Sequence, residues 1–309
     1  MRVKGAKKFL YVVGCSWSAK GGNPYNSYYG ESREEKIESE DKLKWQRILS
    51  DKLNLELIND AVVGGSNDMS IRKLRNFILH DKRSLNSIII WQWTELSRYM
   101  IFSNQDNMFC HPGESGGNPI MQSIGREIKQ HKKIIDKYTY SDIINIYDLI
   151  DETAWISNLC KMRNIGFVVF DGMANIKPIL DARIELLEAE KNFRKGKNFR
   201  PRYRNDGFYK PIFIDESYHN IRVLLYEHLI TKKIIIKPHG HFSWQEALKK
   251  HPLLDREKIE GAYVGHKFSH DGDVRTSRRN FDFHPGHDAA VLFSTDLYYW
   301  IKKNIEGIT

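Results

Sequence analysis

The chain has 309 residues, and its 48 Lys plus Arg against 39 Asp plus Glu give a formal net charge of +9. At 41% hydrophobic and 28% charged, with 21 Gly and 9 Pro, it is neither collagen-like, low-complexity nor wholesale disordered, and it is long enough for one sizeable core. Its longest apolar runs, such as 9–13 and 88–91, fall far below the roughly 20 residues of a membrane-spanning helix, so no membrane partner is expected.

The basic N-terminus followed by an apolar stretch and Cys15 imitates a lipoprotein signal. The stretch from Phe9 to Val13 is too short for a signal core and closes at Gly14, which fits a buried first strand. The protein therefore reads as unsignalled, cytoplasmic or virion-associated. Cys15, Cys110 and Cys160 cannot all pair and form no C-x-x-C, so they are expected to be reduced thiols.

After strand 8–13 comes a polar loop rich in Gly and Tyr. A helical stripe of Leu43, Ile48, Leu49 and Leu53 follows, and then a strand at 55–58. Asn67 or Asp68 is placed to cap a helix running to about His80, with Ile71, Leu74 and Ile78 on one face. The run 87–93 predicts a third strand, and 100–120 reads as a long loop. Helical patterns at 121–134 and 141–163 lead to a strand at 166–172. Beyond it lie a short helix near 178–190, a helix near 216–231, a last strand at 234–237 and a closing amphipathic helix at 289–305. Strands alternating with helices predict a single α/β domain over 1–309, with a parallel sheet covered on both faces. Insertions are expected near 100–120 and 190–215.

In such a sheet the carboxyl ends of the strands line the ligand crevice. Strand one runs into Gly14-Cys15-Ser16-Trp17-Ser18, which presents Ser16 where a nucleophile would sit. Strand two runs into a Gly64-Gly65 pair before a helix, a place where backbone N–H groups can approach an anion. Strand three runs into Gln92-Trp93-Thr94-Glu95. Near the end, Asp282 and His284-Pro285 set a carboxylate beside an imidazole, the base and orienter that a serine nucleophile requires.

Taken in order, these segments resemble the SGNH (GDSL-like) hydrolase family, and the resemblance spans nearly the whole chain. Gly14-Cys15-Ser16 matches the family's Gly-Asp-Ser except at Cys15. Asn59 and Gly64 have the spacing of its second block, and His284-Pro285 fits its last. Thr94 stands where the third block carries Asn, and Asp282 lies two residues before His284 rather than three. Trp45 and the closing helix are similar to phage-type members. The resemblance implies a three-layer, flavodoxin-like α/β/α sandwich and a cofactor-free serine esterase removing small acyl groups, with O-acetyl on a carbohydrate as the expected substrate. It further implies Ser16 as nucleophile, His284 as base, Asp282 as its orienter and Gly64 with Thr94 as the oxyanion hole. Trp17, Asn67 and Trp93 are the expected substrate contacts.

Two other readings stay open at the level of sequence: a non-catalytic carbohydrate- or virion-binding protein on the same fold, and a metal-dependent hydrolase. The second draws on His239, His241, His251, His266, His270, His284 and His287, which match no familiar zinc spacing. A G-x-S-x-G match at Gly113–Gly117 lacks the strand before it and the helix after it that a nucleophile elbow needs. The segment 191–204 interleaves basic residues with Phe193, Phe199 and Tyr203; it reads either as a solvated insertion or as a grip for an anionic polymer.

Overall fold

The computed structural model describes residues 7–15, 18–19, 44–62, 65–96, 101–103, 108–110, 142–174, 176–182, 216–244, 246–247 and 287–305. Strands β1 (Phe9–Val13), β2 (Glu56–Asn59), β3 (Ser87–Trp93), β6 (Gly166–Asp171) and β7 (Ile235–Ile236) form one sheet in the order β2-β1-β3-β6-β7. Every neighbouring pair is parallel. The helices whose two ends lie among the described residues are α1 (Trp45–Leu53), α2 (Asn67–His80), α3 (Asp142–Met162), α4 (Glu216–Thr231) and α5 (His287–Asn304), and residues 176–182 are helical as well.

Both faces of the sheet are covered, which explains why its strands are continuous apolar runs rather than alternating ones. Successive side chains point to opposite faces. Tyr11, Val13, Ile89, Trp91, Trp93 and Val169 pack with α2, α3 and α4. Leu10, Val12, Ile88, Ile90, Val168 and Phe170 pack with α1 and α5. The expected three-layer α/β sandwich is therefore present. Trp45 of α1 anchors the second layer, meeting Phe293 of α5 edge-on at 5.2 Å and Phe170 of β6 at 5.6 Å.

Three helix ends are built alike. Asn54, Asn164 and Lys233 take left-handed φ of 52°, 56° and 60°, just after α1, α3 and α4. The next residue's N–H reaches back to a carbonyl five positions earlier: Leu55 to Ser50, Ile165 to Cys160 and Ile234 to Leu229, each at 2.9 Å. This six-to-one bond is the Schellman closure, and it turns each chain straight into a strand at the amino edge of the sheet.

Two expectations need correction. The segment 100–120 is not wholly loop, because β4 (Ile101–Ser103) and β5 (Met108–Cys110) pair antiparallel. The intervening Asn104-Gln105-Asp106-Asn107 carries the Asn and Asp typical of turns, a signal that the length of the polar stretch masked. The cap of α2 is Ser66, whose hydroxyl accepts from Met69 N–H at 3.2 Å, rather than Asn67 or Asp68. The expected helix at 121–134 lies outside the described residues. No helix among the described residues is long and apolar enough to cross a membrane.

Candidate active site

In the order β2-β1-β3, the chain reverses direction of growth between β1 and β3, and ligands of such sheets bind outside the carboxyl ends at that switch point. The register pairs Val13 with Trp91 and Trp93 with Asp171, so Gly14 and Gly172 flank Gln92 on either side. Gln92 is fully buried. A Cβ on Gly14 would lie 2.8 Å from Gln92 Cβ, and one on Gly172 would collide with Gln92 Nε2. Both positions need glycine because the amide fills the space between the two strand ends.

The Gln92 amide holds the loop that follows β1. Its Nε2 donates to Cys15 Sγ at 3.3 Å, and its Oε1 accepts the Ser18 hydroxyl at 2.5 Å. Ser18 N–H also donates to the Cys15 carbonyl at 2.9 Å. The Ser18 carbonyl accepts from Asn59 Nδ2 at 2.8 Å and from Gln46 Nε2 at 2.9 Å. The residues on both sides of Ser16 and Trp17 are thus fixed from β3, β2 and α1 together. Ser16 and Trp17 themselves lie outside the described residues, as do Gly64, Asp282 and His284.

The loop after β2 leans on the first. Val62 N–H donates to the Gly14 carbonyl at 3.1 Å, and a Cβ on Gly65 would come within 2.9 Å of that same oxygen. Ser66 then caps α2, directing the positive end of the helix toward the crevice.

Thr94 is the first residue beyond β3 and is fully buried. Its backbone is clamped by Asn67, whose Oδ1 accepts Thr94 N–H at 3.0 Å and whose Nδ2 donates to Thr94 carbonyl at 3.1 Å. The Thr94 hydroxyl has no partner among the described residues. A buried hydroxyl left unmatched carries a desolvation penalty of about 1–3 kcal/mol unless something else meets it. A developing oxyanion is one such partner.

Two expected substrate contacts have other occupations. Both polar atoms of the Asn67 side chain are engaged by Thr94, which makes Asn67 a positioning residue. Trp93 has no exposed surface and meets Trp91 edge-on at 6.2 Å inside the core. Its strand is covered on both faces, so this indole offers no platform to a sugar ring.

The direction of α5 bears on the last block. Ile305, just past its end, lies against Gly166 at the start of β6, while Phe293 packs on Phe170 near the end of β6 at 4.8 Å. The helix therefore runs antiparallel to the strands, and its first residue, His287, belongs to the carboxyl edge. Of the histidines considered as metal ligands, His239 is engaged by the Asp296 carboxylate of α5. Among the described residues no group of His, Cys, Asp or Glu is arranged to hold a metal.

Sequence reasoning named Asn59 only for its spacing to Gly64 and gave Gln92 and Ser18 no role, although all three frame this site. The signal was available: an amide inside the apolar run 87–93 has to find hydrogen-bond partners if the strand is buried. It also missed buried His219 of α4, whose Nδ1 lies 2.6 Å from the Tyr147 hydroxyl of α3.

No family model and no curated protein matches the sequence. Four chains of solved structures do match. One is the crystal structure of protein YxiM from Bacillus subtilis, at 14% identity and a TM-score of 0.34, over 98% of this chain and 58% of that one. The chain thus spans less than two thirds of that protein.

Proposed function

We propose that the chain is a serine esterase of SGNH type that hydrolyses small acyl esters, with O-acetyl groups on a carbohydrate as the preferred substrate. One observation carries this reading. At the switch point of the sheet, the residues flanking Ser16 are pinned by Gln92, and the neighbouring buried Thr94 hydroxyl has no partner among the described residues. Thr94 stands where the resembled family carries its side-chain oxyanion donor. The start of α5 at the same edge supports the reading further, since His284 precedes His287 by three residues.

In this mechanism Ser16 Oγ attacks the acyl carbonyl while His284 takes its proton. His284 then returns that proton to the leaving alkoxide as the tetrahedral intermediate collapses to an acyl-enzyme. Water, deprotonated by His284, releases the acid and restores Ser16. Asp282 orients the imidazole. The N–H groups of Ser16 and Gly64 and the hydroxyl of Thr94 stabilise the oxyanion, each donor being worth about 3 kcal/mol in comparable sites. The Asn67 clamp supports this step, because it satisfies the Thr94 backbone and leaves the hydroxyl to donate.

The test is hydrolysis of p-nitrophenyl acetate, followed by acetate release from an O-acetylated oligosaccharide. Wild type should turn over both, and Ser16→Ala should lower kcat/KM by at least about 10³-fold. Turnover by Ser16→Ala equal to wild type, or none by wild type, overturns the proposal. Inactivation by a chelator with Ser16→Ala still active would favour a metal-dependent hydrolase instead.

A further inference from the structure

The opposite, amino edge of the sheet carries a second concave feature that the ester chemistry does not use. A cavity of about 480 Å³ opens between the turn into β6, the turn into β7 and the last turn of α5. That volume lies within the roughly 300–1,000 Å³ typical of small-ligand sites. Its walls combine Ile165 and Phe167, both buried, and the half-buried Trp300 with Lys232, Lys233 and Lys303, and no carboxylate lines it among the described residues.

Cations near helix C-termini answer the negative end of the helix dipole, and that alone would account for Lys303 in the last turn of α5. Lys232 and Lys233 stand beyond the end of α4. Lys233 also adopts the left-handed conformation in which the two equivalent turns carry Asn54 and Asn164. Lysine has no short polar side chain to relieve that conformation. Its Nζ donates to Asn304 Oδ1 at 2.6 Å, so the side chain crosses from the β7 turn to α5. Lys232 and Lys303 have no carboxylate partner among the described residues. The result is a concentrated positive field beside an apolar, partly aromatic wall.

We propose that this cavity binds an anionic monosaccharide unit, a uronate or a sugar phosphate, with the charge facing the lysines and the C–H face of the ring on the Trp300 side. A sugar ring fits better than a nucleic acid strand. Strand-binding grooves stack successive bases on several aromatics and favour arginine, whereas lysines and one half-buried indole line this cavity. The site is separate from the Ser16 crevice and does not depend on that reading.

Isothermal titration of the full chain with glucose 6-phosphate, glucuronate, glucose and inorganic phosphate tests the proposal. Saturable binding of glucose 6-phosphate or glucuronate is expected, the stronger of the two identifying the source of the charge. Glucose should bind at least about tenfold more weakly, and raising salt from about 50 to about 500 mM should weaken the charged ligands strongly. The exposed pair Lys232→Ala/Lys303→Ala should lose about tenfold in affinity while its circular dichroism stays native. Ser16→Ala should bind as wild type does. No saturable binding up to millimolar ligand would overturn the proposal. So would undiminished affinity in the double variant, or inorganic phosphate binding as well as either sugar.

Discussion

At the carboxyl edge of the sheet, the side-chain amides of Gln92 and Asn67 are taken out of water and hydrogen-bonded through both oxygen and nitrogen. Gln92 spans Cys15 and Ser18, Asn67 clasps the backbone of Thr94, and Asn59 holds the Ser18 carbonyl. At the amino edge, three helices end in the same left-handed closure, and exposed lysines surround a cavity together with Asn164 and Asn304. Burial makes hydrogen bonds at the first edge expensive to break, whereas exposure makes single charges at the second cheap to remove. Geometry is fixed where bond-making chemistry would need it, and charge is pooled where a field is enough.

The sharpest way to break this comparison is Gln92→Leu. It leaves the buried Ser18 hydroxyl without its acceptor and frees the loop around Ser16. We expect kcat/KM for p-nitrophenyl acetate to fall about 10²-fold and denaturant stability to fall by about 2 kcal/mol. An unchanged rate would mean that the amide serves folding alone. Asn67→Ala follows, with a loss of about 2–3 kcal/mol, because both the Thr94 N–H and carbonyl become buried orphans; urea melts provide the check.

Gly172→Ala should be destabilised by about 1–3 kcal/mol, since the added methyl meets the Gln92 amide and, at 2.9 Å, the Trp93 carbonyl. Thermal melting would show whether the cradle is as tight as the distances require.

A smaller effect belongs to Asp148 of α3. Partial burial, then the nearby carboxylates of Asp151, Asp68 and Glu152, hold its carboxyl above the ordinary range, with Arg222 opposing. A raised folded-state value means that the native protein keeps this proton longer than the unfolded chain does. This group therefore lowers stability as pH rises through the carboxylate range. Asp148→Asn should raise the melting midpoint slightly at pH 7, and the gain should vanish on acidification below that range. Smallest of all, Lys232→Ala/Lys303→Ala should leave ester hydrolysis within about twofold of wild type and stability within about 0.5 kcal/mol. A large loss of esterase activity there would couple the two edges and end the contrast.

Much of the fold was legible because buried parallel strands announce themselves. The run 87–93 became β3 without a shift, and 166–172 became β6 less its final glycine. The hairpin β4–β5 was hidden because its strands are three residues long within a polar segment. For the site, the parallel sheet expected from alternating strands and helices already implied that the carboxyl ends of β1, β2 and β3 share one edge. The supporting frame was not legible in the same way. Which amide meets which hydroxyl depends on register, and the register that sets Gln92 between Gly14 and Gly172 arises from pairing across three strands distant in sequence. The cap at Ser66 rather than Asn67 has the same origin: Asn67 is recruited by Thr94, a partner that local sequence does not reveal.

The central claim, that the loop held by Gln92 presents a serine for acyl transfer, is tested most directly by treating the chain with a fluorophosphonate and mapping the adduct by peptide mass spectrometry. The account predicts stoichiometric loss of esterase activity with the phosphonyl mass on Ser16, and slower labelling in Gln92→Leu. Hydrolysis that continues with Ser16 unmodified, or an adduct confined to another residue, would contradict it.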